Sequence, residues 1–501
     1  MLTSAMIEFA GCGELAGLRR LSGGANMESW SFDWGGVGYV LRRAPSADYM
    51  VGRPYGHADE AALVRAAFAA GVKAPEVVGV LSASDGLGTG YVMRRVTGEV
   101  SPARIVAAPP RSLLDDLGRE LARIHAIPRA AVPAAIPLMD TAAALAELKA
   151  RFLSYGGDRP VIALAIRWCE EHLPEPAAPV LVHGDYRMGN VMVDLAEGGG
   201  EGGDDAGGLA AVLDWELAHL GDAHEDLAFG CMTVWRFGQL DRPAFGVGSL
   251  ADYFAAYEAA GGVRVDPARF RFWLVYRTVW WALGCMAMAQ SWRARTDRSL
   301  ERVVISRRTS EQELDLLLLL EEEAPEAERA RALPPSPRPA AGSAGEASRS
   351  GADATVERVV VGRRTAEQEL DLVRLLEEEA PEAERARALP RSPDAAPAPT
   401  GEPTVREMVQ AVRDWIEGTI KPAAEDHAKF EAVVAMNALG IAMRDLEAGT
   451  RAEDRALAAA LLDGGTTLAE PGLLARLRRA VLDKCAVDSP KYAALGAARA
   501  A

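Results

Sequence analysis

The chain has 501 residues, 49% hydrophobic and 25% charged, an ordinary globular composition that excludes a disorder-dominated protein and, at this length, predicts two or three domains. Its formal charge of −16 weighs against a broad electrostatic footprint for nucleic acid or for an anionic membrane surface. Five cysteines, Cys12, Cys169, Cys231, Cys285 and Cys485, have no CxxC spacing, which argues against zinc and disulfides and for buried, reduced thiols.

The opening Met1-Leu2-Thr3-Ser4 carries no basic or apolar leader pattern, and the longest apolar run, around Val279 to Ala289, is too short to span a bilayer; the expectation is a cytoplasmic protein. Residues 19–43 read as strand, glycine turn (Ser22-Gly23-Gly24-Ala25-Asn26), strand and a second hairpin over Trp30–Trp34 and Tyr39–Arg42. A helical pattern runs from Ala58 to Ala70 and stops at Gly71, and Glu76–Val80 and Tyr91–Val96 supply two more strands. The first part is thus a β-rich lobe with one helix. After Gly98 the pattern turns helical, with Leu113, Leu117, Leu121 and Ile124 on one face.

Within this helical part, Val180–Val182, Val191–Val193 and Ala211–Leu213 read as short strands. The Gly/Asp-rich run Gly198–Gly208 before the third is a hairpin tip without catalytic duty. Residues 302–334 recur at 358–390, too few copies for a solenoid, which suggests a duplicated terminal helix: one copy caps the lobe, the other packs loosely or meets another partner. Pro/Ala/Ser/Gly-rich linkers follow each copy. Beyond them, Val405, Met408, Val409, Val412, Ile416 and Ile420 share a helical face, and helices near 430–446, 451–462 and 473–482 complete a small all-α domain in which Asn437 is expected as a core amide.

The chemistry concentrates in His183-Gly184-Asp185-Tyr186-Arg187-Met188-Gly189-Asn190. This spacing is that of the kinase catalytic loop, where an aspartate accepts the proton of the attacking hydroxyl and an asparagine five residues on holds Mg²⁺. Downstream, Val212-Leu213-Asp214-Trp215-Glu216 ends a strand in two acids: Asp214 is the expected Mg²⁺ ligand and Glu216 a further candidate. His183 and Arg187 could orient Asp185 or contact phosphate, although a histidine that supports the loop fits equally well. Asp222 and Asp226 read as helix-start caps. Trp273, Tyr276, Trp280 and Trp281 lie on one helical stretch and are either core or acceptor-pocket residues.

These motifs, with Leu21–Gly24, Tyr39–Arg43 and Leu213–Asp222, make residues 19–325 resemble the aminoglycoside phosphotransferase and choline kinase superfamily, in the branch related to kinase domains fused to acyl-CoA dehydrogenases. The resemblance implies an α+β, protein-kinase-like two-lobed fold with ATP and Mg²⁺ as cofactors and a small-molecule hydroxyl as acceptor. With the repeat and the linker composition, the expected boundaries are 1–97 (N-lobe), 98–333 (C-lobe), 334–402 (linker with the second repeat) and 403–501 (helical domain). The helical domain resembles one found after such kinases and could contact a protein. Ser22, Gly23, Gly24 and Asn26 would cover the ATP phosphates, Arg42 stands where the family places a phosphate-binding lysine, and Glu60 would pair with it. The implied activity is γ-phosphate transfer to a hydroxy acid or hydroxyacyl thioester. The competing reading, favoured by Arg42 and the appended helices, is a weak pseudokinase or nucleotide-binding scaffold.

Overall fold

The computed structural model describes residues 13–21, 27–44, 46, 50, 52–195, 207–296, 299–332, 405–448 and 454–500. Three strands open the chain, β1 (Leu15–Arg20), β2 (Glu28–Trp34) and β3 (Val37–Arg43); helix α1 (His57–Ala69) precedes β4 (Val77–Val80) and β5 (Gly90–Arg94). They form one antiparallel sheet in the order β1-β2-β3-β5-β4. The two-residue alternation of a strand sorts its faces. Phe32, Trp34, Tyr39, Leu41 and Val92 cluster on one side, and the intervening Arg42, paired in register with Tyr91, turns to the side covered by α1. Helix α1 stops at Gly71, whose φ of +81° suits the residue that lacks a Cβ.

The second lobe carries α2 (Pro102–Ala107), α3 (Leu113–His125), α4 (Thr141–Ser154) and α5 (Pro160–Glu171), then two small hairpins: β6 (Val180–Val182) with β9 (His219–Gly221), and β7 (Val191–Asp194) with β8 (Gly208–Val212). Helices α6 (Ala223–Phe229), α7 (Leu250–Ala259) and α8 (Pro267–Arg293) follow. The Leu113, Leu117, Leu121, Ile124 stripe is wholly buried against the rest of the lobe. Asp266 caps α8 by accepting the Ala268 N–H, and Pro267 occupies the first turn, where its missing N–H costs nothing. Trp273 and Tyr276 are core residues of α8, while Trp280 and Trp281 are half-buried. The α+β two-lobed architecture expected of a kinase-like chain is therefore present, followed, among the described residues, by helices alone.

Those helices begin with the first repeat copy: α9 (Leu300–Ser306), α10 (Thr309–Leu320) and α11 (Glu326–Ala332). After it come α12 (Val405–Trp415), a π-helical turn (Ile416–Ile420), α13 (Lys421–Ala423), α14 (Asp426–Ala448), α15 (Arg455–Leu462), α16 (Leu473–Asp488) and α17 (Ala493–Ala500). Helix α10 lies between α5 and α8 of the lobe on one side and α16 on the other, and α15 packs on α5, so lobe and terminal helices share a continuous core. The second repeat copy and both linkers fall outside the described residues. One expectation fails here: Asn437 is exposed and is not a core amide. On the face read over 405–420, Val412 (41%) and Ile420 (37%) are open, because helix periodicity reports amphipathicity without saying which neighbour covers the apolar side.

No helix among the described residues is long and apolar enough to cross a membrane. Cys169, Cys231, Cys285 and Cys485 are buried free thiols, and burial is the main cause that pushes each of them up from the ordinary cysteine value. Cys12 and the glycine turn Ser22, Gly23, Gly24 and Asn26 lie outside the described residues.

Candidate active site

Strands β6 and β7 hold the loop 183–190 at both ends, and a third chain segment ties into it. The Leu213 N–H donates to the Asn190 carbonyl (2.8 Å), and the Leu213 carbonyl accepts from His183 Nε2 (3.1 Å). The residue before Asp214 is thus bonded to both the first and last members of the catalytic loop, which places the two acidic motifs side by side. Asp214 itself has φ +66°, a left-handed conformation that costs a non-glycine residue about 1–2 kcal/mol and that persists where its surroundings over-determine it.

The Asp185 carboxylate is oriented from two directions. Arg187 Nε donates to Oδ1 (2.7 Å), and Asn190 Nδ2 donates to Oδ2 (2.6 Å) and to the Asp185 carbonyl (3.0 Å). Arg187 in turn lies over the Trp235 ring, 4.2 Å from its centroid, on a 3₁₀ turn (Thr233–Trp235). His183 is completely buried. Its Nδ1 accepts the Asp185 N–H (3.3 Å), so Nε2 carries the proton given to Leu213; burial lowers the imidazole below its ordinary value and keeps it neutral. His183 therefore braces the loop through its ring nitrogens.

Beneath the loop, Asp226 accepts the backbone N–H groups of His183 (2.6 Å) and Gly184 (2.9 Å), one on each carboxylate oxygen, and His125 Nε2 lies 3.3 Å away. Burial opposes its charge, but the hydrogen bonds and the His125 and His183 rings outweigh burial and hold Asp226 below the usual carboxylate range. Asp222 caps α6 as expected, accepting the His224 N–H; Asp226 does not, because one turn further on its side chain points at the loop and not at its own helix end. Arg277, 4% exposed, joins the underside by donating to the Gly184 carbonyl (2.5 Å) and to Glu225 (2.9 Å). Gly184 has φ +79°, and a Cβ there would run into the Leu217 carbonyl.

Across the cleft, Arg42 gathers three acids: Glu60 through Nε (3.4 Å), and through Nη2 both Asp214 (2.5 Å) and Glu216 (2.7 Å). Burial works against the Arg42 charge, but Asp214, Glu60 and Glu216 raise its pKa well above the ordinary value, so the guanidinium stays ionised. Glu60 is 3% exposed and also accepts from Tyr91 (2.9 Å); burial raises its pKa in spite of Arg42. Arg53 reaches Glu216 (3.0 Å) as a second cation. The Tyr55 hydroxyl donates to the Trp215 carbonyl (2.8 Å) and fixes the backbone between the two acids.

The donor set suits Mg²⁺. Asn190 spends its Nδ2 on Asp185 and keeps its carbonyl oxygen; the Asp214 side chain is 29% exposed, and both are hard oxygen donors of the kind that bind Mg²⁺ together with substrate phosphates. Among the described residues no group of three His, Cys, Asp or Glu is spaced to hold an ion. The sequence reading missed Arg53, Tyr55, Trp235, Arg277 and the loop-bracing role of Asp226. The run Leu217–Asp222, already notable as a motif, ends four residues short of that carboxylate.

Residues 17–273 match the model of the phosphotransferase enzyme family. Mouse acyl-CoA dehydrogenase family member 10 is 27% identical over 252 residues, 44% of this chain and 21% of that protein. Chicken acyl-CoA dehydrogenase family member 11 is 25% identical over 252 residues, 48% of this chain and 31% of that one. The chain thus spans less than a third of the length of either relative. A crystal structure of a Ralstonia eutropha protein assigned to the aminoglycoside phosphotransferases superposes with a TM-score of 0.50 at 21% identity, covering 64% of this chain and 97% of that one, a likeness of fold.

Proposed function

We propose that this chain, which belongs to the phosphotransferase enzyme family, is an ATP- and Mg²⁺-dependent small-molecule kinase whose acceptor is a hydroxy acid or hydroxyacyl thioester with its hydroxyl activated by Asp185. The observation that carries the reading is the convergence on one cleft of an oriented carboxylate, Asp185, and two oxygen donors for a metal, Asn190 and Asp214. Arg187 beside the base favours an acceptor with an anionic or carbonyl group over a polycationic aminoglycoside. The names of the mouse and chicken relatives support an acyl substrate. We propose a cytoplasmic location, a compartment in which ATP is available.

In this mechanism Asp185 aligns the acceptor hydroxyl and takes its proton as the oxygen bonds to the γ-phosphorus and the bond to the departing ADP oxygen breaks. Arg187 and Asn190 keep the carboxylate in place through that motion, and Asp226 and Arg277 keep the loop in place beneath it. Asn190 and Asp214, with Glu216 as a further donor, would hold Mg²⁺, which supplies neutralisation of the charge on the phosphate oxygens. Arg42 and Arg53 offer phosphate oxygens a forked, permanently charged contact once the nucleotide enters.

The test is Mg²⁺-dependent ATP consumption by the wild type and by Asp185→Ala with hydroxy acids, hydroxyacyl-CoA thioesters, amino alcohols and aminoglycosides. Turnover stimulated by the first two and lost in the variant is expected. Stimulation by aminoglycosides alone would refute the acceptor class, and equal turnover in Asp185→Ala would refute the base.

A further inference from the structure

The first repeat copy is buried between two surfaces. Leu314, Leu316, Leu317 and Leu320 of α10 are at most 1% exposed. Polar anchors hold the same segment: Arg307 to Asp488 (2.6 Å), Glu313 to both Arg159 and Lys484 (3.2 Å each), the Tyr492 hydroxyl to Asp315 (2.6 Å), and Arg478 to Glu321 (2.6 Å). One helix therefore joins the C-lobe to the terminal helices through a groove with defined side-chain requirements.

Residues 358–390 satisfy nearly all of them. At a constant offset the two copies differ at five positions, Ile305/Val361, Ser306/Gly362, Ser310/Ala366, Leu317/Val373 and Leu318/Arg374. Every polar anchor recurs: Arg363 for Arg307, Glu369 for Glu313, Asp371 for Asp315, Glu377 for Glu321. Ser310 donates only within its own helix, to the Arg307 carbonyl, so its loss removes no contact with the groove. Leu318 is half-buried, and a long arginine stem can cover such a site while its head reaches water.

We propose that residues 358–390 are an alternative occupant of the groove that holds residues 302–332, so that one chain can dock either copy between its C-lobe and its terminal helices. The chain length allows it. With the second copy docked, residues 391–404 must reach Val405, and fourteen extended residues span on the order of 45–50 Å, more than the width of a domain this small. The smaller Val373 and the charged Arg374 favour the first copy, by on the order of tenfold to a few hundredfold in occupancy.

The groove therefore carries a spare helix, and damage to the first copy is tolerated as long as the second is intact. The experiment compares thermal melting and size of the full chain as wild type, Leu314→Asp, Leu370→Asp and the double variant. A carboxylate at the fully buried position 314 should eject the first copy. The expected result is that each single variant melts within about 5 °C of wild type, whereas the double variant melts at least about 10 °C lower or fails to accumulate folded. If Leu314→Asp alone is as damaging as the double variant, the second copy cannot dock and the proposal fails. A Leu314→Asp chain that is rescued but runs as a dimer would overturn docking within one chain in favour of exchange between chains. As an independent readout, Glu369→Cys with Lys484→Cys should form a disulfide in the Leu314→Asp background that Lys484→Cys alone does not; no such bond would overturn the proposal even if the variant folds.

Discussion

Asp226→Asn isolates the part of the site that lies farthest from any substrate yet fixes where the base stands. The carboxylate accepts the N–H groups of His183 at 2.6 Å and Gly184 at 2.9 Å on different oxygens, in a fully buried position. An amide keeps one acceptor and turns the other into an NH₂ group facing an N–H. Hydrogen bonds to a charged group contribute roughly 1.5–3 kcal/mol each, so losing one and weakening the other should cost about 3–5 kcal/mol, concentrated at the loop. A loop shifted by even about 1 Å misaligns Asp185, a displacement associated with losses on the order of 10²-fold. In steady-state ATP turnover with the stimulating acceptor, kcat should therefore fall about 100-fold while KM for ATP changes less than about threefold, because Arg42, the proposed phosphate contact, belongs to the other lobe. The pH dependence has a definite sign. Asp226 is held below its ordinary value, so its stabilisation is present above the unfolded carboxylate value near ~4 and is lost as pH falls through the lower folded value. Wild type should thus lose stability on acidification more steeply than Asp226→Asn. An Asp226→Asn enzyme with wild-type kcat and melting temperature would refute the claim that this carboxylate holds the loop.

Arg42→Ala should raise KM for MgATP at least about tenfold and lower stability by about 3 kcal/mol, since it strands the buried Glu60 among other acids; Arg42→Lys should restore most of the nucleotide affinity. Equal MgATP affinity in wild type and Arg42→Ala, measured by calorimetry, would exclude a phosphate contact. Asp315 is buried and pushed up to about 7, chiefly by burial, although Tyr492 donates to it. Its folded value exceeds its unfolded one, so the proton stabilises the fold at low pH and stability falls as pH rises from about 4 to about 7, by up to about 4 kcal/mol. Asp315→Asn should remove that decline, leaving the variant the more stable of the two at pH 8, with the gap closing as pH falls toward about 4 in denaturant titrations.

Local residue order made much of this molecule legible. The glycine stop after α1, the leucine stripe of α3 and the three short strands around the catalytic loop all follow from periodicity and turn chemistry, and their observed bounds differ from the reading by a few residues at most. The Arg42 to Glu60 pair was legible only through the resemblance to the kinase superfamily, which implied it, and not from local residue order. What stayed hidden depends on which element lies behind which. Asp226 looks like a cap from its place just after Asp222, and only the packing of α6 under β6 turns its carboxylate toward His183 and Gly184. Arg277 reads as one polar residue in an aromatic helix until Gly184 and Glu225 meet it from two other segments.

The terminal helices illustrate the same limit from the opposite direction. Their sequence contains no catalytic cluster, and read alone they form a separate unit. In the fold, α16 packs on α10, α10 packs against the turn that carries Trp235, and Trp235 supports Arg187, which holds the Asp185 carboxylate. Each step in that series is a direct contact, so loosening the terminal helices withdraws support from a side chain that orients the base without touching the cleft. This makes the identity of the helix in the groove relevant to catalysis. The first copy presents Leu317 and Leu318 where the second presents Val373 and Arg374, and these substitutions lie on the helix that backs the Trp235 turn. On the roles proposed for these residues, a chain with its second copy docked should retain nucleotide affinity, assigned to Arg42 and the acids it gathers, and differ in kcat, assigned to how firmly Arg187 is held.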